Sequence, residues 1–394
     1  MTVDTSEIRK LIAEAYPQIR ELRRDLHRHP EIKFEEKRTA AVVAEQLKRL
    51  GIPCRTKVGR TGVVGLLKGK RPGPCVALRA DMDALPLGEE NRISYRSVNP
   101  GAMHACGHDG HTANLVGVAR VLSRLTRRLA GSVKFIFQPA EEAGDQGGAE
   151  LMVRDGALEN PRPSVLFALH AATMHPLGTV ACRPGPAMAS ADFFDIRLFG
   201  KGAHAASPHR GIDPIVISAS VLQALQTIAS RRIDPLQPVV VTVGSIAGGA
   251  ARNIIPDRVL LQGTVRAYDE QVRRKAAKLV QTIPGAIARA MGGRAEVDFM
   301  RCYPSVVNDA RAAESVRDVV EETLGKKHFA KAEPSMGGED FAFYLRIVPG
   351  AFFWLGNGRP GRELHQPTFD FNDEALKIGM LVMTALVMKR LGTE

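Results

Sequence analysis

Three largely apolar runs of the sequence each end in carboxylate or imidazole side chains, and helical patterns separate them. The first run ends at Asp81 and Asp83, the second at Glu141 and Glu142, and the third at His170. Apolar runs of this kind are typical of buried strands, and strands that alternate with helices predict a largely parallel sheet. In such sheets ligands bind beyond the carboxyl ends of the strands. The sequence therefore predicts an α/β fold with a functional site at that edge.

The pattern changes after about residue 190. The segment ADFFDIRLFG alternates like a half-exposed strand, and the patterns that follow give the order β-α-β-β-α-β, which is typical of a ferredoxin-like module. We therefore predict a discontinuous catalytic domain, 1–187 and 303–394, with a mostly parallel sheet and flanking helices. An α+β domain, 188–302, is predicted to be inserted into it.

The composition excludes several classes of protein. The formal net charge is +12, but Lys and Arg are mixed with Asp and Glu, and one Trp and five Tyr offer little for bases to stack on. We therefore expect no nucleic-acid partner. We also expect no signal peptide and no membrane span, because charges interrupt every apolar stretch. Five scattered cysteines without a CxxC motif favour a reduced, cytoplasmic protein.

The stretch MHACGHDGHTA, residues 103–113, concentrates several metal-ligand side chains before a helix that we predict from about Thr112 to Leu125. Cys106 and His108 alone do not distinguish a metal site from a polar turn, and His111 could be an ordinary helix-face histidine. Thiolate, imidazole and carboxylate groups together bind divalent transition ions, and Glu142, His170 and His365 supply further candidates. A nucleophilic cysteine is the competing interpretation of Cys106.

The adjacent pair Glu141 and Glu142 supports a cation site, because two neighbouring carboxylates repel each other unless a cation lies between them. One carboxylate could bind the ion while the other takes a proton from the attacking water. A solvated loop is the alternative interpretation. In the inserted segment, His204, Asn253 and Arg266 by themselves indicate no more than turn chemistry and surface charge.

Taken together, the motifs resemble the dinuclear metallopeptidases that include aminoacylases and glutamate carboxypeptidases. The sequence is most similar to the branch of hippurate hydrolases and plant indole-acetyl amino acid hydrolases. The resemblance covers nearly the whole chain, with the motifs in one order: RADMDALP, MHACGHDGHTANLVG, FQPAEE, ALH, GKGAHAASPH, RNIIP, GTVRA, YPSVVND, GGEDFAFY and LHQP.

This resemblance implies a role for each motif residue. Two divalent metal ions per subunit are expected, with Mn or Zn favoured and Co or Ni compatible. The implied metal ligands are Cys106, which bridges the ions, His108, Glu142, His170 and His365.

The resemblance also implies the catalytic and substrate-binding residues. Glu141 is the expected general base and Asp83 the aspartate that braces the site. His204 is expected to stabilise the oxyanion in a partner subunit, which implies a homodimer formed through the inserted lid domain. Asn253 and Arg266 are expected to bind the substrate carboxylate, and Gly338 to line the pocket.

The expected function is metal-dependent cleavage of the amide bond of N-acyl amino acids, hippurate-like or with N-acetyl or aryl-acyl groups. A dipeptidase or carboxypeptidase with the same dinuclear site is the first alternative. A binding protein without turnover and a basic nucleic-acid binder are the others. Two departures are notable, because Asp81 replaces a ligand histidine of distant relatives and the surroundings of His170 are atypical.

Overall fold

The computed structural model describes residues 5–144, 146–358 and 362–393. The chain divides into two units, one made of Met1–Ala187, Val307–Glu333 and Asp340–Glu394, and the other of Met188–Val306 and Pro334–Glu339. The short last segment joins the second unit, where the N–H of Ala189 donates to the carbonyl of Ser335. The functional roles of the two units remain predictions.

Helices and strands alternate through much of the chain. The helices are α1 (Thr5–Arg28), α2 (Lys37–Arg49), α3 (His108–Arg124), α4 (Gly148–Arg154), α5 (Pro214–Thr227), α6 (Glu270–Ala290), α7 (Ala310–Thr323), α8 (Ala342–Leu345) and α9 (Ala375–Leu391). Among the described residues, no helix combines the length and the apolar character that a membrane span requires.

The strands are short, with ten or eleven residues in the longest. They are β1 (Cys54–Val58), β2 (Gly62–Lys68), β3 (Arg71–Asp81), β4 (Ala130–Gln138), β5 (Val165–Ala172), β6 (Val180–Cys182), β7 (Gly185–Met188), β8 (Ser190–Phe199), β9 (Ala203–His204), β10 (Val239–Gly248), β11 (Ile254–Ile255), β12 (Arg258–Ala267), β13 (Arg294–Tyr303), β14 (Val306–Asn308), β15 (Phe329–Lys331) and β16 (Gly350–Gly356).

The first unit is built on one sheet in the order β1-β2-β4-β3-β5-β16-β6-β15. Its centre is parallel, since β4 pairs with β3, β3 with β5 and β5 with β16 in that orientation. Helices α1, α3 and α9 pack on one another, and α3 and α9 also contact the central strands. The carboxyl ends of β3, β4 and β5 therefore lie side by side, as the sequence predicted.

Helix α3 begins at His108, four residues before the predicted start. Gly107 precedes it in the left-handed region, with φ of +87°, which glycine adopts without steric cost. The first turn contains His108, Asp109 and His111, all buried. Because polar residues fill this turn, the apolar periodicity gives no indication of it, although Asp109 suits the positive end of the helix dipole.

The main sheet of the second unit is antiparallel, in the order β10-β12-β8-β13, with α5 and α6 packed on it. In chain order the elements run β8-α5-β10-β12-α6-β13, the predicted ferredoxin-like arrangement. Side chains such as Phe194, Ile196, Val221 and Leu261 form its separate core. The predicted fold class, an α/β domain with an inserted α+β domain, is confirmed.

Candidate metal centre

The predicted metal ligands converge on the thiol of Cys106, which lies in the loop before α3. Its Sγ is 3.3 Å from Nε2 of His170 on β5 and 3.3 Å from Nε2 of His365. One ligand atom each of Cys106, His108 and Glu142 lies within 4.8 Å of the others. Five residues that are up to 259 positions apart in the sequence thus share one cluster.

The imidazole of His108 points one nitrogen into this cluster. Its Nδ1 is 2.9 Å from the carbonyl oxygen of Asp83 and 3.1 Å from the carboxylate of the same residue, so Nδ1 carries the proton. Its Nε2 is buried and has no hydrogen-bond partner within the described residues. A carboxylate behind a histidine is the usual arrangement around metal-ligating imidazoles, because it fixes the tautomer and the ring orientation.

His170 is oriented in a similar way, and His365 contacts both Cys106 and Glu142. Nδ1 of His170 donates to the carbonyl of Ala171 at 2.8 Å, which leaves Nε2 free to face Cys106. Nε2 of His365 is 3.1 Å from Oε1 of Glu142. The backbone of His365 is left-handed, with φ of +62°, a conformation that non-glycine residues keep only where the surroundings impose it.

The electrostatics of the cluster favour a cation. Burial alone would lower the pKa of His108, but the negative charges of Asp81, Asp83 and Glu142 raise it to about 10. Burial and the charges of Glu142 and Glu141 raise the pKa of the Cys106 thiol well above its ordinary value. A divalent cation would offset this negative potential and convert the thiol into a thiolate ligand.

The raised pKa of the Cys106 thiol argues against a nucleophilic role for this residue. Reactive cysteines are partly exposed and lie in electropositive surroundings that lower the pKa of the thiol. Cys106 is buried among carboxylates, so its thiol stays protonated at neutral pH unless a metal ion binds it.

Asp83 contacts two of the elements that carry the predicted ligands. Besides its contact with His108, its Oδ2 accepts a hydrogen bond from the N–H of Glu142 at 2.9 Å. Its carboxylate therefore joins α3 to the turn that follows β4. Glu142, on that turn, is placed with its side chain towards Cys106.

Glu141 stands apart from this ligand group. It begins the 3₁₀ turn Glu141–Ala143 and is buried, and its carboxylate lies within 4.8 Å of that of Asp340. Its charge still acts on Cys106. Glu141 is therefore placed beside the ligand cluster and outside the group formed by Cys106, His108 and Glu142.

Asp81 and His111 also lie at the cluster, but their ligand atoms are engaged elsewhere. Nδ1 of His111 donates to Asp81 at 2.6 Å, and its Nε2 accepts from the N–H of Ala171 at 2.8 Å. The second oxygen of Asp81 accepts from Arg79 at 2.6 Å. Burial would raise the pKa of Asp81, but the charges of His108, Arg79 and His111 hold it well below its ordinary value. This pair braces the site.

Sequence reasoning missed the charged network behind α3. Asp109 accepts from Nδ1 of His27 at 2.8 Å, and the guanidinium of Arg23 lies 3.4 Å from the same carboxylate. All three side chains are fully buried. In the sequence, this network was indicated only by the position of Arg23 and His27 on the otherwise apolar face of the first helix.

The residues predicted in the second unit fall into two groups. His204 pairs with Ile254 between β9 and β11, and the N–H of Ala205 donates to the carbonyl of Asn253 at 3.1 Å. His204 and Asn253 are therefore neighbours, and both are exposed.

Arg266 lies at the opposite end of the sheet. It pairs with Ala191 at the start of β8, whereas Phe199, which leads to His204, pairs with Arg258. Eight strand residues separate the two ends, which is about 25 Å. A Cβ on Gly338 would lie 3.2 Å from Nη1 of Arg266, so this glycine borders the guanidinium. Arg266 therefore lies about 25 Å along the sheet from the strand end that leads to His204.

Comparisons with known proteins agree with this geometry. The model of peptidase family M20/M25/M40 matches residues 77–389. The N-acyl-L-amino acid amidohydrolase of Geobacillus stearothermophilus is 43% identical over 302 residues, 77% of this chain and 81% of that protein. Thermostable carboxypeptidase 1 of Saccharolobus solfataricus is 39% identical over 375 residues, 94% of each.

A solved structure is similar over almost the same length. The crystal structure of the Bacillus subtilis YXEP protein, described as a dinuclear metal-binding peptidase of the M20 family, aligns with a TM-score of 0.83 and 34% identity. The alignment covers 96% of this chain and 98% of that one.

Proposed function

Because the chain belongs to peptidase family M20/M25/M40 and is an enzyme that hydrolyses amide bonds, we propose that it cleaves N-acyl amino acids. The products are a carboxylic acid and a free amino acid, and the acyl group is benzoyl, as in hippurate, or an acetyl or other aryl-acyl group. The observation that carries the proposal is the convergence of His108, His170, His365 and Glu142 on the thiol of Cys106.

We propose that these five residues hold two divalent metal ions, with Mn or Zn favoured and Co or Ni compatible. The donor set of one thiol, three imidazoles and a carboxylate fits such ions, and Nε2 of His108 is a buried ring nitrogen without a hydrogen-bond partner in the described part of the chain. When bound, the ions would supply Lewis acidity toward water and the amide carbonyl.

The chain's own residues supply the proton transfer. Glu141 lies next to the ligand Glu142 but outside the ligand group, so its carboxylate can accept the proton of the attacking water and return it to the leaving amine. General base catalysis of this kind is typically worth about a hundredfold to ten-thousandfold in rate. During this transfer the carboxylate of Asp83 holds the ring of His108 and the backbone of Glu142 in place through hydrogen bonds.

Arg266 is the proposed anchor for the free carboxylate of the substrate. Its guanidinium stays charged at neutral pH and can form a bidentate pair with a carboxylate. Gly338 leaves room beside that guanidinium, because a side chain there would crowd Nη1. This favours substrates with a free α-carboxylate.

His204 and Asn253 are proposed to act in a partner subunit, His204 on the oxyanion and Asn253 on the substrate carboxylate. The register of the sheet supports this, because Arg266 lies about 25 Å from the strand end that leads to His204. The proposed interface of the homodimer is the inserted unit. Strand β10 is an edge strand, and Ile246 on it and Ile215 beside its end expose about half of their surface.

Mixed dimers test this arrangement. Glu141→Ala and His204→Ala chains should each be inactive alone, because each lacks one half of the chemistry. After the two are unfolded and refolded together, half of the dimers carry one intact site, so about a quarter of the wild-type activity should return. No recovery, with mixed dimers demonstrated by mass spectrometry, would place His204 in its own subunit's site or outside the reaction.

A substrate panel tests the proposed function itself. Protein reconstituted separately with Mn, Zn, Co and Ni is assayed on hippurate, N-acetyl amino acids, dipeptides and C-terminally blocked peptides. We expect N-acyl amino acids to give the highest kcat/KM. A preference for peptides would support the dipeptidase or carboxypeptidase alternative, which the relative from Saccharolobus solfataricus favours. Absence of turnover on every compound would leave the binding-protein alternative.

A cytoplasmic location also stays a proposal. Its support is that Cys54, Cys75, Cys106, Cys182 and Cys302 are all free thiols. Thiols persist in reducing compartments. Fractionation of cells that express the native chain would test it.

A further inference from the structure

A fully buried carboxylate, that of Glu36, has no role in the chemistry described so far. Glu36 precedes helix α2 and is 0% exposed. Its Oε2 accepts from the hydroxyl of Thr61 at 2.6 Å, and its Oε1 accepts from the N–H of Phe34 at 3.0 Å and from the N–H of Ala140 at 2.9 Å. Burying a carboxylate is costly, so its presence requires an explanation beyond packing.

The contact with Ala140 reaches the turn that carries the two glutamates. Ala140 immediately precedes Glu141 and adopts a left-handed backbone, with φ of +52° and ψ of +45°. Non-glycine residues keep this conformation where neighbouring groups fix it, and such residues concentrate at functional sites. On the other side of Glu141, the N–H of Glu142 is held by Asp83. Two carboxylates therefore bracket Glu141.

The segment that supplies Glu36 is itself anchored to the same edge of the sheet. The N–H of Ala84 donates to the carbonyl of Glu31 at 2.8 Å, and Nζ of Lys33 donates to the carbonyl of Ala143 at 3.4 Å. The carboxylate of Glu31 accepts from two N–H groups in the first turn of α2. Segment 31–36 is thus fixed both to the site and to the helix that follows.

We propose that Glu36 is a positioning residue for Glu141. By accepting the N–H of Ala140, it fixes the strained backbone from which Glu141 and Glu142 project in different directions. This inference rests on the proposed function in so far as Glu141 is taken as the general base. Its geometric part concerns the backbone alone and can be tested without a substrate.

Hydrogen–deuterium exchange provides that test. Glu36→Ala removes the acceptor, and we expect faster amide exchange in residues 139–144. Glu36→Gln should exchange like the wild type, because its amide oxygen can accept from the N–H groups of Phe34 and Ala140, and the Thr61 hydroxyl can rotate to accept from its amide group. Glu35→Ala is the matched control, since Glu35 is exposed and pairs with Lys37. Wild-type exchange of this segment in folded Glu36→Ala protein would overturn the proposal.

Kinetics add a second readout. With the best substrate of the panel, Glu36→Ala should lower kcat by roughly 10- to 100-fold, the usual effect of removing a supporting partner, while KM and bound metal stay near wild-type values. Glu36→Gln should recover most of kcat. An unchanged kcat would contradict the proposal. If the wild type cleaves no N-acyl amino acid, the proposed function fails, yet the exchange result still decides the role of Glu36.

A milder variant covers the case in which Glu36→Ala does not fold. Thr61→Val removes the hydrogen bond to Oε2 but keeps the carboxylate, so exchange of residues 139–144 should rise by a smaller factor. Exchange at the wild-type rate in this variant, together with an unfolded Glu36→Ala protein, would reduce Glu36 to a folding role and overturn the proposal.

Discussion

His111 donates to Asp81 at 2.6 Å and accepts from the N–H of Ala171 at 2.8 Å, so both of its ring nitrogens are used inside the protein. His108, one turn earlier on the same helix, keeps Nε2 without a hydrogen-bond partner among the described residues. His108 therefore has a ring nitrogen available to a metal ion, whereas both ring nitrogens of His111 are already hydrogen-bonded. Burial, together with the positive charges of His108 and Arg79, outweighs the opposite effect of Asp81 and lowers the pKa of His111, in agreement with a neutral ring.

We predict that His108→Gln reduces the number of metal ions bound per chain, whereas His111→Asn retains it. His111→Asn should instead lower the free energy of unfolding by about 1–3 kcal/mol, because the N–H of Ala171 loses its buried acceptor. Metal analysis of dialysed protein and urea titration measure the two effects. The assignment is wrong if His111→Asn, still folded, loses as much metal as His108→Gln.

We predict that Asp83→Asn weakens metal binding markedly, although asparagine has almost the same size and shape as aspartate. The asparagine oxygen can still accept from His108, but its amide group would then face the N–H of Glu142, and two donors would oppose each other. Losing such a supporting partner typically costs about 10- to 100-fold in metal affinity or activity. Competition with a chelator of known affinity gives the value. Asp309→Asn, which alters only the cap of α7, is the control.

We predict that Cys106 resists alkylation in metal-depleted protein near neutral pH. Its thiol is buried, and burial together with the charges of Glu142 and Glu141 raises its pKa. Cys54 on β1 is more accessible and serves as the internal reference. Peptide mapping after iodoacetamide treatment should show Cys54 modified first. Faster modification of Cys106 would restore the nucleophilic-cysteine alternative.

The sequence predicted the elements whose side chains alternate or repeat regularly. The apolar runs that became β3, β4 and β5 gave both the parallel centre and the edge at which Asp83, Glu142 and His170 meet. The start of α3 was missed because its first turn is polar and buried, a combination that gives no amphipathic signal. A buried charged residue can be recognised from the oppositely charged or polar residues that it contacts. Where those residues are far apart in the sequence, a local sequence pattern does not reveal them.

Glu36 and Arg266 illustrate that limit. The resemblance to known hydrolases assigned Arg266, but the sequence could not show that about 25 Å of sheet separates it from the strand end that leads to His204. Glu36 stands beside Glu35 and Lys37 in a charged segment, and its burial and its contact with Ala140 distinguish it from Glu35. The residue types in the sequence predicted the metal-binding chemistry of the site. The contacts that support those residues could be identified only from the folded structure.

The network behind α3 predicts a pH dependence of stability. Both ring nitrogens of His27 face carboxylates, Asp109 at 2.8 Å and Glu89 at 3.1 Å, which requires both to donate and the ring to be charged. Burial alone would lower the pKa of His27, but the charge of Asp109 and the hydrogen bonds to Asp109 and Glu89 raise it to about 9. In the unfolded chain the pKa is about 6.5.

A histidine whose pKa is raised on folding stabilises the protein fully below the unfolded pKa, and this stability is lost as pH rises through the folded pKa. We therefore expect His27→Gln to lower the free energy of unfolding most at about pH 6, and the pH-dependent part, about 3 kcal/mol, to vanish by about pH 10. Urea titrations at both values measure it. His209→Gln, at an exposed histidine, is the control. A difference between His27→Gln and wild type that stays constant with pH would mean that His27 is neutral in the folded protein, with one carboxylate of the network protonated in its place.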